Sequence, residues 1–102
     1  MDRVAFVLNV KPEKLDEYVA AHADVWPEML EAMRDAGVRN YTIFLRGTEA
    51  FGYCEADDID AAWSRLLDTD VNRRWQAAMA EYLEQPVDGD GAGPLREIFR
   101  MD

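Results

Sequence analysis

His22 is the only histidine in the chain, and imidazole is the side chain whose unperturbed pKa of about 6.5 suits proton transfer near neutral pH. Tyr18 precedes it by one helical turn, so the two side chains share a helix face, which Leu15 and Val25 mark as inward. A half-buried imidazole bonded to a backbone carbonyl would explain the same pattern without any chemistry. Trp26, Trp63, Trp75, Tyr18, Tyr41, Tyr53 and Tyr82 each join an apolar ring to a polar tip. A neutral sugar needs that pairing: flat rings for its C–H face, hydroxyls and indole N–H groups for its oxygens. Trp63 and Trp75 also lie on helical stripes, where core packing is the plainer reading.

Other chemistries find little support. One His and one Cys, Cys54, cannot build a zinc site, although carboxylates alone could hold a weak Mg²⁺ or Ca²⁺. No glycine-rich phosphate cradle and no Ser-centred elbow is present, and the loop around Gly89–Gly93 is too acidic to attract phosphate. The expectation is an activity carried by side chains alone, with no metal and no cofactor. A formal charge of −10 argues against nucleic acid and anionic membrane, because phosphates need a basic patch and only Arg73 and Arg74 are adjacent. A lone cysteine allows no disulfide within the chain. The opening MDRVAFVLNV does not read as a signal peptide, and no run nears the roughly 18 apolar residues of a spanning helix, so a cytoplasmic protein is expected.

The elements that would position these groups follow from periodicity. A length of 102 residues suits one domain over 1–102. Residues 3–10 read as a strand with Val4, Phe6, Leu8 and Val10 on one face, ending at Lys11-Pro12. A helix follows through Leu15, Tyr18, Val19, His22, Val25 and Trp26; Pro27 kinks or restarts it, and Gly37 ends it. Residues 38–45 and 50–56 form a hairpin across 46–49. Asp57 or Asp58 caps the next helix, which carries Ile59, Trp63, Leu66 and Leu67. Thr69 caps another, with Val71, Trp75, Ala78, Met79 and Tyr82 on one face. A turn-rich loop over 86–94 leads to a last short strand near 95–101. The order β-α-β-β-α-β with split helices is α+β and ferredoxin-like, an antiparallel sheet with helices on one face. Phe6, Leu8, Tyr41, Ile43, Phe44, Phe51 and Tyr53 are more large side chains than one covered face needs. A homodimer packing two sheets face to face, a dimeric α/β barrel, is therefore expected.

The segment Tyr18-Val19-Ala20-Ala21-His22-Ala23-Asp24-Val25-Trp26-Pro27-Glu28 resembles the YxxxH…WPE signature of the L-rhamnose mutarotases. The likeness runs on through Ala5-Phe6-Val7, Gly37, Asn40-Tyr41-Thr42-Ile43, Trp63, Thr69-Asp70-Val71, Arg74-Trp75 and Phe99. It implies a dimeric ferredoxin-like fold and interconversion of the α and β anomers of a free 6-deoxy sugar. By position it makes His22 the catalytic proton donor and Tyr18 and Tyr41 sugar contacts. Trp75 matches the first of two adjacent family tryptophans in the sugar pocket. The second falls on Gln76, which can hydrogen-bond a hydroxyl but cannot stack on a ring. The loop at 85–91 also departs from the family pattern, so the choice among L-rhamnose, L-fucose and related sugars stays open. Mutarotation asks only for one acid–base pair and a positioning pocket: the ring oxygen gains a proton while the anomeric hydroxyl loses one. Tyr18, a carboxylate or a bound water could be the second partner. The competing readings are a cofactor-free monooxygenase of the dimeric α/β-barrel type and a non-catalytic sugar-binding module.

Overall fold

A computed structural model describes residues 1–84 and 94–101. The chain opens with strand β1 (Asp2–Asn9) and passes a 3₁₀ turn (Pro12–Lys14) into helices α1 (Leu15–Ala23) and α2 (Pro27–Ala36). Strands β2 (Arg39–Arg46) and β3 (Glu49–Ala56) follow, then helices α3 (Ile59–Leu67) and α4 (Asp70–Ala80). The sheet is antiparallel with order β1-β3-β2, so β3 is central. The ferredoxin-like α+β plan stands, with both helical layers split in two.

Local signals account for most boundaries. Pro27 stands in the first turn of α2, where its missing N–H costs nothing, and the chain restarts there instead of continuing α1. Gly37 closes α2 at φ 100°, a conformation that L side chains rarely adopt, and its N–H returns to the last turn. Asp58 caps α3 by accepting from Ala61 N at 3.2 Å, and Thr69 caps α4 by accepting from Asn72 N at 3.3 Å. Helix α4 stops at Ala80, short of Tyr82. The chain there turns to tie itself to the end of β1: Lys11 N donates to Tyr82 O at 2.8 Å and Glu84 N to Asn9 O at 2.9 Å.

Strict alternation divides the sheet. Ala50, Gly52, Cys54 and Ala56 of β3 are buried on the helix side, and Leu8, Phe6 and Val4, the β1 partners of the first three, are half-buried there. These β3 residues are all small, which leaves room over the central strand for larger side chains, the Phe6 ring over Gly52 among them. The main core joins Val10, Tyr18, Met29, Leu66, Trp75, Met79 and Leu83, and a smaller one joins Val38, Cys54, Ala56 and Ala62. The opposite face carries Phe44, 65% exposed, beside half-buried Phe51 and Tyr53. The surplus of large strand side chains is thus real and is split between the two faces.

The expected strand near 95–101 is not formed. The segment lies beside β1, where a fourth strand would add, and is tied to it by a backbone bond from Leu95 N to Ala5 O at 2.6 Å and an Arg3–Glu97 ion pair, without forming a ladder. Ile98, Phe99 and Met101 are 80% or more exposed. A strand pattern becomes a strand only when its apolar residues are packed, and Ile98, Phe99 and Met101 are left in solvent. The loop expected over 86–94 lies, apart from Pro94, outside the described residues. Among the described residues no helix is long and apolar enough to cross a membrane.

Candidate active site

The site forms where α1 and α4 face the helix side of the sheet. His22 lies in the last turn of α1, and its Nδ1 sits 2.9 Å from the carbonyl oxygen of Tyr18. A carbonyl can only accept, so Nδ1 carries a proton there and Nε2 is the nitrogen left to gain or lose one. The ordinary reading of this histidine, a half-buried ring bonded to a backbone carbonyl, is therefore physically present. It also sets the tautomer that a catalytic imidazole needs.

Rings hold that imidazole in place. Tyr18 lies 4.5 Å away between ring centroids, and Trp75 of α4 meets His22 edge-on at 5.5 Å. Trp75 in turn meets Trp26 at 5.1 Å, while Tyr82 meets Tyr18 at 6.5 Å, both at near-perpendicular angles. Trp75 is buried and packs within the main core, so its indole is a wall behind His22 as much as a surface for a ligand. Outside this stack, Arg74 covers the Trp26 ring at 6.0 Å and bonds to Asp70 and Glu28, closing the far side with charges that stay in solvent.

Tyr41 comes from the sheet, and a backbone irregularity delivers it. Arg39 opposes Glu55 while Thr42 opposes Tyr53, so one extra residue is accommodated in β2 between them. Asn40 absorbs the bulge at φ 52°, a left-handed conformation that Asn tolerates better than most residues, and its side chain bonds Glu55 on the outer face. Asn40 is exposed, and Tyr41, in phase with Ile43, faces the helix side with buried Val38 and meets Phe6 at 6.1 Å. Burial pushes the Tyr41 phenol above its ordinary range, with smaller contributions from Cys54 and Tyr18; burial also raises Tyr18. Both stay protonated at neutral pH and present O–H donors.

Gln76, half-buried, sits on α4 one turn after the buried Asn72. Its Nε2 donates to Asn72 Oδ1 at 3.3 Å, which leaves the Gln76 carbonyl oxygen as an acceptor. Tyr18 and Trp75 thus each contact the His22 ring, Tyr41 meets Phe6 on the sheet, and Gln76 bonds to Asn72.

Sequence reasoning passed over two members of this neighbourhood and misplaced a third. Asn72 is the sole buried polar side chain among the described residues, and its i,i+4 spacing to Gln76 was the available signal. Phe6, assigned only to a strand face, borders Tyr41. Tyr82, read as helical, reaches Tyr18 from beyond the end of α4. No carboxylate among the described residues bonds to His22, Tyr18 or Tyr41, and no group of three or more His, Cys, Asp and Glu there could hold a metal. Cys54 lies under β3 with its thiol pushed up to about 11 by burial and then by Glu55, a poor nucleophile in a closed place.

Comparison with known proteins bears on this geometry. The family model described as L-rhamnose mutarotase matches residues 3–101. A curated L-rhamnose mutarotase from Oceanobacillus iheyensis is 36% identical over 109 aligned positions, covering 100% of both chains. Among solved structures, an L-rhamnose mutarotase from Formosa agariphila superposes with TM-score 0.78 at 22% identity over 100% of both chains. An antibiotic biosynthesis monooxygenase superposes with TM-score 0.63 at 20% identity, covering 81% of this chain and 86% of its own, a likeness of fold.

Proposed function

The chain belongs to the L-rhamnose mutarotase family, and from that premise we propose that His22 drives interconversion of the α and β anomers of L-rhamnose, or of a related 6-deoxy sugar, in this protein. The protein is a sugar mutarotase, an isomerase. The observation that supports the residue assignment is the His22 Nδ1 bond to Tyr18 O, which leaves Nε2 as the nitrogen free for proton transfer.

In the forward step the imidazolium form of His22, its Nδ1–H held by Tyr18 O, donates Nε2–H to the pyranose ring oxygen as the bond from that oxygen to the anomeric carbon breaks. The anomeric hydroxyl gives up its proton, and an open-chain aldehyde results. Rotation about the bond next to the carbonyl presents its other face. The C5 hydroxyl then adds back, returns its proton to Nε2, and the carbonyl oxygen is reprotonated as the opposite anomeric hydroxyl. Atoms and charge balance with no oxidant and no metal. Tyr18 and Tyr41, held in the phenol form by burial, donate hydrogen bonds to the sugar and do not accept its proton, so the anomeric proton passes to water. Trp75 backs the imidazole and offers an edge to the sugar, and Gln76 supplies a carbonyl oxygen for a hydroxyl.

The working form is a homodimer in the cytosol. Phe44, Phe51 and Tyr53 on the open sheet face, with the apolar residues of the C-terminal segment, form a surface that a second copy can cover. Saturation-transfer NMR across a panel of free sugars tests the reaction directly. Exchange of magnetisation between L-rhamnose anomers should rise in proportion to protein concentration. A panel in which no sugar responds would remove the assignment.

A further inference from the structure

Gly52 stands in the middle of the central strand, where a glycine weakens the sheet because it has no side chain to pack. The reason for it lies on the neighbouring strand. Phe6 is its register partner on β1, and a Cβ built on Gly52 would fall 2.9 Å from Phe6 Cε1 and closer still to Cε2 and Cζ. The ring therefore lies down across the backbone of β3 and does not stand up from the sheet.

Phe6 points to the helix side, as Val4 and Leu8 do, yet they pack on the cores and Phe6 joins neither. It remains half-buried, with the edge contact to Tyr41 as its recorded ring partner. Half-buried and met edge-on by Tyr41, the Phe6 ring keeps part of its surface accessible. Tyr18, Tyr41, His22 and Gln76 all present polar atoms; Phe6 presents carbon and hydrogen alone.

We propose that Gly52 is a positioning residue that lays Phe6 flat, and that Phe6 is the apolar floor of the sugar site, receiving the methyl-bearing edge of a 6-deoxy sugar. The assignment rests on the mutarotase reading above. A methyl group on that ring loses only water. A hydroxymethyl group there loses hydrogen bonds that carbon cannot replace, and such a surface discriminates against an added hydroxyl by on the order of 10²-fold at most. A side chain at residue 52 would lift the ring toward the ligand and shorten the site at that edge.

The test compares kcat/KM for L-rhamnose, for L-mannose, which carries a hydroxyl on C6, and for L-lyxose, which lacks C6. Wild type should prefer L-rhamnose to L-mannose by roughly 10–100-fold. In Gly52→Ala the ratio of L-rhamnose to L-lyxose should fall about tenfold, because only the sugar with a C5 substituent meets the raised ring. In Phe6→Ala the ratio of L-rhamnose to L-mannose should fall by a similar factor; this variant decides the matter if Gly52→Ala does not fold. A purely structural glycine would slow all three sugars together and leave the ratios unmoved, and that result would overturn the proposal. Wild-type protein that exchanges the anomers of none of them would remove the mutarotase reading, and this inference with it.

Discussion

Replacing His22 by Asn separates its proposed proton transfer from its place in the packing. Three contacts are at stake: the 2.9 Å bond to Tyr18 O, the ring contact with Tyr18 and the edge contact with Trp75. Each such interaction contributes about 0.5–1.5 kcal/mol, and for a half-buried ring the low end applies, so the variant should lose about 2 kcal/mol. A domain of this size should then melt about 8–16 °C lower. From an ordinary stability of about 5–15 kcal/mol the protein would remain more than 99% folded at 25 °C. Anomer exchange, in contrast, should slow by about 10²–10⁴-fold through loss of the acid–base group. Tyr18→Phe keeps the ring and removes one hydroxyl donor, at a cost of about 0.5–1.5 kcal/mol and tenfold or less in rate. Saturation-transfer NMR at 25 °C, with circular dichroism melts on the same samples, reads both quantities. A folded His22→Asn protein that exchanges anomers as fast as wild type refutes the mechanism. A reversed order of the two variants would move the proton transfer to Tyr18.

Exhaustive dialysis against EDTA should leave the exchange rate unchanged; loss of activity with recovery on adding a divalent ion would reveal a carboxylate site. Light scattering at micromolar concentration should give about twice the chain mass of 11.7 kDa, and a monomer would remove the homodimer. Alkaline pH should unfold the protein for a specific reason. Burial raises Tyr18 and Tyr41, so the stability they confer is complete below the unfolded phenol value of about 10 and is lost as pH climbs from there toward their folded values. Absorbance at 295 nm and far-ultraviolet circular dichroism should change together above pH 10, and Tyr41→Phe should lessen the change. Ionisation of every tyrosine near pH 10 with the dichroism intact would refute this.

Much was legible without a structure because it is local. Period-two runs marked the strands, and 3.6-residue spacing marked the helices. Pro27, Gly37, Asp58 and Thr69 act through their own backbone or their own first turn, so their positions alone announced the boundaries. Tyr18 and His22 share a helix face for the same reason, and the aromatic spacing around them pointed to a family that the comparisons bear out. Tertiary structure decided what depends on partners distant in sequence. Trp75 lies against His22 only because the fold brings α4 beside α1, and Val38 and Tyr41, three residues apart, face the helices together only because Asn40 absorbs a bulge in β2. Phe6 lies flat only because β1 pairs with β3 in the register that sets it opposite a glycine. Residues 95–101 have the composition of a strand but form none within the chain, because strand propensity becomes structure only when there is a surface to bury its apolar side against.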